Sequence, residues 1–404
     1  IAPQVRYQHT VSVGGQGRRN LIIGAHIVGE AVQQDYRRAV GRPVLLVGDV
    51  ENVGADGFAL HVANIYRPRA AVDSRACRDQ PPGMSRIGNF LTLEQMRRLG
   101  AKSNLVGALL VLHAWAVIAG SMALFAWWPN PFTFLLGVMV IGGRQLGIAI
   151  LMHDAAHGLL LADRRLNDWV GSWLCAFPVF TSLTLYRPYH LQHHRFTQQA
   201  EDPDLGLSAA FPTSRASLRR KIVRDLTGQT AFLRRGEQIR RALGPADAPF
   251  AVQLGNLWRK EKGPLIANLV LLAGLSAAGY WWLYPVMWLL PLATWYQFVS
   301  RIRNIAEHAV VPDNDDPLRN TRTTYANPLM RLLVAPYWVN YHLEHHLFMF
   351  VPCWRLPQAH RALVDGGHRL SMELKPGYLA VLKAATAGAK GGGRSLGERS
   401  PQHI

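Results

Sequence analysis

Cysteine is close to absent. Cys77, Cys175 and Cys353 are the three in 404 residues, and no two lie within four positions of each other. That excludes a disulfide scaffold and any CxxC metal or redox motif. Charge is scarce as well, at 17% of residues against about 25% in ordinary globular chains. With 49% of residues hydrophobic, the chain as a whole is too apolar to be disordered. Acidic residues are the scarcer sign, 26 against 44 Lys and Arg, for a net charge of +18. Lysine is rare beside arginine, 7 against 37, which reads as base-composition bias in the genome. The first 83 residues lack Met and Lys and hold no apolar span and no motif. Residues 1–83 are therefore expected to be an N-terminal extension without chemistry. Either they are an over-long reading of the gene upstream of Met84, or an accessory segment in which Arg42–Ala63 alternates enough for strands. The working domain is expected over 84–383, and the Gly-, Ala- and Arg-rich stretch 384–404 is expected to be a disordered tail.

Charge is missing altogether from two long stretches. Ser103–Gly143 is 41 residues without Asp, Glu, Lys or Arg. As one helix it would reach about 60 Å, about twice the hydrocarbon thickness of a bilayer. Trp127-Trp128-Pro129-Asn130-Pro131 lies near its middle. The prolines break a helix and the tryptophans favour a membrane interface. This predicts a hairpin with spans at about 104–127 and 131–152. Gly263–Ser300, 38 residues without such charge, turns at Tyr284-Pro285 and predicts a second hairpin at about 264–283 and 286–303. Both turns lack Lys and Arg, whereas 187–262 between the hairpins holds 14 of them against 7 Asp and Glu. The positive-inside rule then puts both termini and this loop in the cytoplasm. Topology and attraction to anionic lipid account for the surplus charge, and no nucleic-acid partner is needed. The expected fold is all-α: an integral membrane bundle of four transmembrane helices in two hairpins, with a cytoplasmic histidine-rich cap. A pair of buried soluble hairpins is the blander alternative. Trp169–Tyr186 is long enough to cross once but not to return, and is expected to be interfacial or re-entrant with a bend at Pro178. Leu332–Tyr341 is expected to lie on the cytoplasmic face as a short amphipathic piece.

Histidine is what the chain has in surplus, 16 in all. Nine fall in four clusters: His153 and His157 in HDAAH; His190, His193 and His194 in HLQHH; His308 closing NIAEH; and His342, His345 and His346 in HLEHH. On a helix, positions i, i+3 and i+4 share a face. A single HxxxH pair is more often incidental than a site. Nine imidazoles on one face of the predicted membrane region would repel as cations; neutral, they are metal ligands. Imidazole suits iron, copper, zinc and nickel, so donor type leaves the metal open. Nine nitrogens exceed one ion with an open position, which points to two ions. The Glu and Glu-x-x-His pairs of a carboxylate-rich bundle site are missing. Asp154, Glu307 and Glu344 stand beside these histidines. They either hold imidazole N–H groups from behind or are solvated charges at helix ends.

HDAAH, YHLQHH followed by RFT and EDPD, and NYHLEHH followed by Leu347-Phe348, Val351-Pro352 and Leu356-Pro357 together resemble the three histidine boxes of the membrane fatty acid desaturases and hydroxylases. The resemblance covers residues 100–365. It implies a non-haem di-iron centre on the cytoplasmic side of four spans, with O2 as co-substrate. It implies oxidative attack on an unactivated C–H bond of a lipid acyl chain. Fatty acid desaturation comes first, and hydroxylation of an acyl chain, sphingolipid, alkane or carotenoid is the alternative. Box by box, it implies iron ligation by His153, His157, His190, His193, His194, His342, His345 and His346, with His308 as an additional ligand. Asn304, one turn before His308, would hold a metal-bound water. The third box begins with His rather than the Gln of members fused to cytochrome b5, and no His-Pro-Gly-Gly motif is present. A separate electron donor, of ferredoxin or cytochrome b5 type with its reductase, is therefore implied. The setting is a multi-pass protein of a bacterial inner membrane.

A rival of another class is a divalent-metal transporter, which would string its ligands along a mid-membrane path. A haem-binding membrane anchor is a third. Among single residues, His113 is expected to hydrogen-bond within the bundle. Arg144 and Gln145 sit inside the second span, where charge is costly; they meet a substrate head group, a buried carboxylate or another helix, or snorkel. His360 and His368 are expected at the surface.

Overall fold

The computed structural model describes residues 90–387. The expected extension at 1–83, its alternating stretch 42–63 and residues 388–404 of the expected tail lie outside them. Helix α1 (Leu93–Leu99) opens on Thr92, whose hydroxyl accepts the Gln95 N–H while the Gln95 side chain takes the Thr92 N–H. Then comes the first hairpin, α2 (Asn104–Trp127) and α3 (Pro131–Ala156). Among the described residues these are the two helices long and apolar enough to cross a membrane. Local chemistry builds their turn. Asn130 Oδ1 accepts from the Phe132 and Thr133 N–H groups, the Thr133 hydroxyl accepts from the Asn130 N–H, and Pro131 fills the first helical position, where no N–H is needed. Helix α2 is mostly exposed and α3 mostly buried. Helix α3 runs four residues beyond the expected end at 152, so His153 and Asp154 still have helical backbone.

Beyond α3, α4 (Arg164–Val170) continues through a π turn (Gly171–Ala176) and a 3-10 turn (Phe177–Val179). The chain then bends by 93° into α5 (Leu183–Arg195). The bend falls just past Pro178, at Phe180, whose φ of 57° is left-handed. The basic stretch folds into α6 (Arg215–Leu226), α7 (Gln229–Leu243) and the first part of α8 (Phe250–Ala277), which packs along α7.

The second hairpin departs from the expected bounds 264–283 and 286–303. Helix α8 starts at Phe250 and ends at Ala277. The returning arm is a π turn (Tyr284–Leu289), a short helix (Leu290–Ala293), a break at Thr294 with φ −118° and ψ −85°, and then α9 (Trp295–His308). Pro285 and Pro291 supply no N–H to a continuous ladder, which favours the wide turn and the break.

The remaining chain adds β1 (Thr323–Thr324), α10 (His342–Leu347), α11 (Leu356–Asp365), β2 (Leu374–Lys375), parallel to β1, and α12 (Tyr378–Ala387). Helix α12 takes in the first four residues of the expected tail, and Ala385 is buried. The stretch 332–341 does not lie on a face as an amphipathic piece. After a short helix (Pro328–Leu333) it is mostly buried, with Tyr337 and Trp338 at φ 50° and 58°. Glycines of α3 let it in: a Cβ on Gly143 would lie 2.8 Å from the Leu332 carbonyl oxygen, and one on Gly147 would lie 2.7 Å from the Tyr337 ring. Arg144 then caps the arriving helix, its Nη2 donating to the carbonyls of Arg331 at 2.8 Å and Leu332 at 2.7 Å. Of the roles open to this arginine in the sequence, bonding to another helix is the one seen. Gln145 Nε2 likewise donates to the Trp288 carbonyl at 2.8 Å, and His113 Nδ1 lies 2.9 Å from the Tyr337 hydroxyl.

Candidate metal centre

Four helices bring their histidines to one place. His153 lies in the last turn of α3 and His157 caps its C-terminus; His190, His193 and His194 lie on α5; His308 ends α9; His342, His345 and His346 lie on α10. Their donor nitrogens form two groups, within each of which all lie within 4.8 Å of one another. The first group is His153, His157, His190, His194 and His345; the second is His193, His308, His342 and His346. Both HxxHH boxes are split between the groups. Positions i and i+4 share a face, while the residue just before the last points about 100° away. On α5 the outer pair goes to the first group and His193 to the second; on α10 the outer pair goes to the second and His345 to the first. The groups abut, with the His194 and His346 rings 4.1 Å apart between centroids.

The spacing within the groups is not that of hydrogen bonds. His190 Nε2 is 2.9 Å from both His157 Nε2 and His194 Nε2, and His194 Nε2 is also 3.0 Å from His345 Nε2. In the second group His342 Nε2 is 2.8 Å from His308 Nε2. A ring nitrogen carries one in-plane hydrogen or one lone pair, so it cannot serve two such partners. Two nitrogens at about 2.1 Å from one ion and about 90° apart would be about 3.0 Å from each other. His153 Nε2 and His346 Nε2 are buried with no hydrogen-bond partner, as donors awaiting an ion would be. The residues present therefore fit two metal ions.

The tautomers agree. His193 Nδ1 donates to Asp202 Oδ1 at 2.7 Å, which leaves Nε2 bare. The Thr197 hydroxyl donates to the His193 carbonyl at 2.9 Å and so accepts from His346 Nδ1 at 3.1 Å. Burial disfavours the charged form of five of these imidazoles: it pushes His157 down to about 3, helped by the Arg187 guanidinium, and holds His308, His342, His345 and His346 well below the usual range.

A sequence model of the family described as fatty acid desaturase matches residues 125–372. The chain belongs to the fatty acid desaturase family. It is an oxidoreductase of that family. It is similar to a dihydrorhizobitoxine desaturase of Bradyrhizobium elkanii, 27% identical over 291 residues that cover 69% of this chain and 78% of the relative. It is also similar to a beta-carotene ketolase of Paracoccus sp. (strain PC1), 27% identical over 65% of this chain and 92% of the relative. A zeaxanthin 4-ketolase of Chlamydomonas reinhardtii is 25% identical over 72% of this chain and 59% of the relative.

In this desaturase-family chain two of the three acidic neighbours of the boxes, Asp154 and Glu344, hydrogen-bond away from the box imidazoles. Asp154 Oδ2 accepts the Cys353 N–H at 2.9 Å, and its other oxygen is 3.8 Å from His153 Nδ1, too far for a hydrogen bond. Glu344 takes His360 Nδ1–H at 2.6 Å on one oxygen and the Thr323 hydroxyl on the other. His360 is thus buried, not a surface residue, whereas His368 is half-buried edge-on to Phe90. Glu307 accepts from Arg303 Nε at 2.7 Å and lies 3.6 Å from His342 Nδ1. Burial pushes the Glu307 carboxyl up to about 7 against the pull of Arg303. Asn304 lines a cavity of about 30 Å³ together with Tyr186, Glu307, His308 and His342, room for a water-sized guest.

Three contributors escaped the reading of the sequence. Asp202 and Thr197, in the loop after α5, orient His193 and His346. Arg187 caps α3 from behind the first box, donating to the Ala156 and Ala155 carbonyls at 2.8 and 3.0 Å while pairing with Asp168 at 2.5 Å. Loop residues carry no periodicity. The signals that did exist were RFT and EDPD, whose Thr197 and Asp202 lie four and nine residues past His193.

Proposed function

We propose that each histidine group holds one iron ion and that the pair oxidises an unactivated C–H bond of a lipid-like substrate with O2, first of all as acyl-chain desaturation. His153, His157, His190, His194 and His345 would hold one ion, and His193, His308, His342 and His346 the other. The observation that carries the reading is the convergence of nine imidazoles, five buried and four partly buried, in which the Nε2 atoms of six stand 2.8–3.0 Å from one another. Bound, the metals would supply activation of O2 and removal of hydrogen from a methylene group. The protein's own part is placement. Asp202 and Thr197 fix two tautomers, Arg187 and Asp154 fasten the segments that carry the first box and Cys353, and Asn304 sides the small cavity with its amide. A transporter would spread its ligands along a span, and the gathering of both groups at helix ends counts against that rival.

The same reading places four spans in the membrane: α2, α3, the apolar part of α8 and the broken arm up to residue 303. The turns free of Lys and Arg lie outside, and the histidine cap, both termini and the basic helices lie in the cytoplasm, in a bacterial inner membrane. Electrons come from a separate donor of ferredoxin or cytochrome b5 type with its reductase, drawn to the basic face of α6 and α7. A second reading, oxygenation of a carotenoid-like ring, is favoured by the ketolases among the relatives. One experiment addresses all of it: metal analysis of the purified protein, with lipid and carotenoid products identified after expression in a host that makes neither. About two irons per chain and a new alkene support the first reading, and a new ketone or hydroxyl supports the second. Turnover that needs no iron would sink both.

A further inference from the structure

Away from the histidines, a groove of about 650 Å³ opens between α4, the start of α5 and α8, a size within the roughly 300–1,000 Å³ of small-ligand sites. One wall is a stripe of α8 at helical spacing, Arg259, Lys262, Gly263 and Ile266. The facing wall is Trp169, Trp173 and Phe177, again four residues apart. The two walls meet at Gly263, where a Cβ would lie 2.5 Å from the Phe177 ring, so only glycine allows this closure.

The walls divide by polarity along α8. Arg259–Lys262 ends its charged part, and 263–277 is free of Asp, Glu, Lys and Arg. Past the groove the stripe continues as the exposed apolar residues Leu269 and Val270. Cations at one end and an apolar track at the other match one molecule with an anionic head and hydrocarbon tails. The carboxylate in the lining does not cancel the cations, because Asp168 is paired with Arg187 at 2.5 Å and lies 3.6 Å from Arg164. Lys260 is tied to the Arg241 carbonyl at 3.0 Å and Arg259 Nη2 donates to Asn256 Oδ1 at 2.5 Å, which leaves Lys262 and the other N–H groups of Arg259 to face a head group. The hydroxyls of Ser172, Ser182 and Thr184 also line the groove, donors suited to ester oxygens.

We propose that this groove binds one anionic membrane phospholipid, its phosphate held by Arg259 and Lys262 and a tail laid along Trp169, Trp173 and Ile266. The groove wall at Ser182–Leu185 is the start of α5, which carries the second histidine box, so the lipid braces that helix at its base. The test is native mass spectrometry of the full-length protein in detergent, titrated with phosphatidylglycerol or with phosphatidylcholine of the same chains. One tightly held phosphatidylglycerol is expected, with phosphatidylcholine held more weakly. The double variant Arg259→Gln, Lys262→Gln should weaken phosphatidylglycerol binding roughly thirtyfold. Ile266→Trp, which fills the apolar track and keeps every charge, should weaken it too. Arg219→Gln with Arg220→Gln, equally basic but on α6, should change nothing. Equal binding of the two lipids, full binding in either groove variant, or an equal loss in the α6 variant would overturn the proposal.

Discussion

His193 shows how one hydrogen bond behind a ring decides what the ring can do. Its Nδ1–H is committed to Asp202, so only Nε2 can face the second group. Asp202→Asn keeps the shape and removes the charge. It is expected to weaken the second group's hold on its ion about 10- to 100-fold, which a metal titration would read as loading displaced to higher iron concentration. His193→Ala and His345→Ala take a ligand from the second and first groups respectively. Each is expected to abolish turnover and lower bound iron while the protein still inserts in the membrane, as judged by iron content and membrane fractionation. The nine histidines were legible because their spacing alone encodes which faces they share. The partners of the acids beside them were not legible, for the same geometrical reason. Neighbouring helical residues point about 100° apart, so Glu344 next to His345 turns to His360 and Thr323, and Asp154 next to His153 turns to Cys353. Glu307 comes near an imidazole across elements, at His342 Nδ1.

At the scale of elements, the first hairpin could be read almost to the residue because Trp128, Asn130 and Pro131 write the turn locally. The second could not. Absence of charge marks where lipid is tolerated, not where a helix starts, and α8 begins 14 residues before residue 264, through Arg259–Lys262. Nor could the burial of 332–341 be read, since it depends on glycines of α3 far away in sequence. The end of α3 offers a test of how the first box is held. Arg187→Met removes the donor to the Ala155 and Ala156 carbonyls and leaves Asp168 without its closest cation. A loss of about 1.5–3 kcal/mol is expected for charge-assisted bonds of this kind, seen as a lower thermal midpoint in detergent. An unchanged midpoint would mean that α3 keeps its end without this cap.

For the molecule as a whole, the buried imidazoles set how the metal-free protein answers to acid. His157, His308, His342, His345 and His346 resist protonation when folded, whereas unfolded histidine titrates near about 6.5. Between those values the unfolded chain binds more protons. Stability is therefore complete above about pH 6.5 and is lost as pH falls below it. Glu307 and Asp154, their carboxyls raised by burial to about 7 and about 6, act in the opposite sense, two groups against these five. Thermal unfolding of metal-free protein from pH 8 to 4 would check the direction; a midpoint that rises on acidification contradicts it. The division of both HxxHH boxes between the two groups has a further effect. Helices α5 and α10 each reach toward both centres, so a roll of either rod about its own axis moves donors at both. An ion that settles in one centre stops the roll and leaves the other with its arms already set, the ordering cost having been met once. Loading should then be nearly all-or-none, with chains that carry a single ion scarce at every stage of an iron titration.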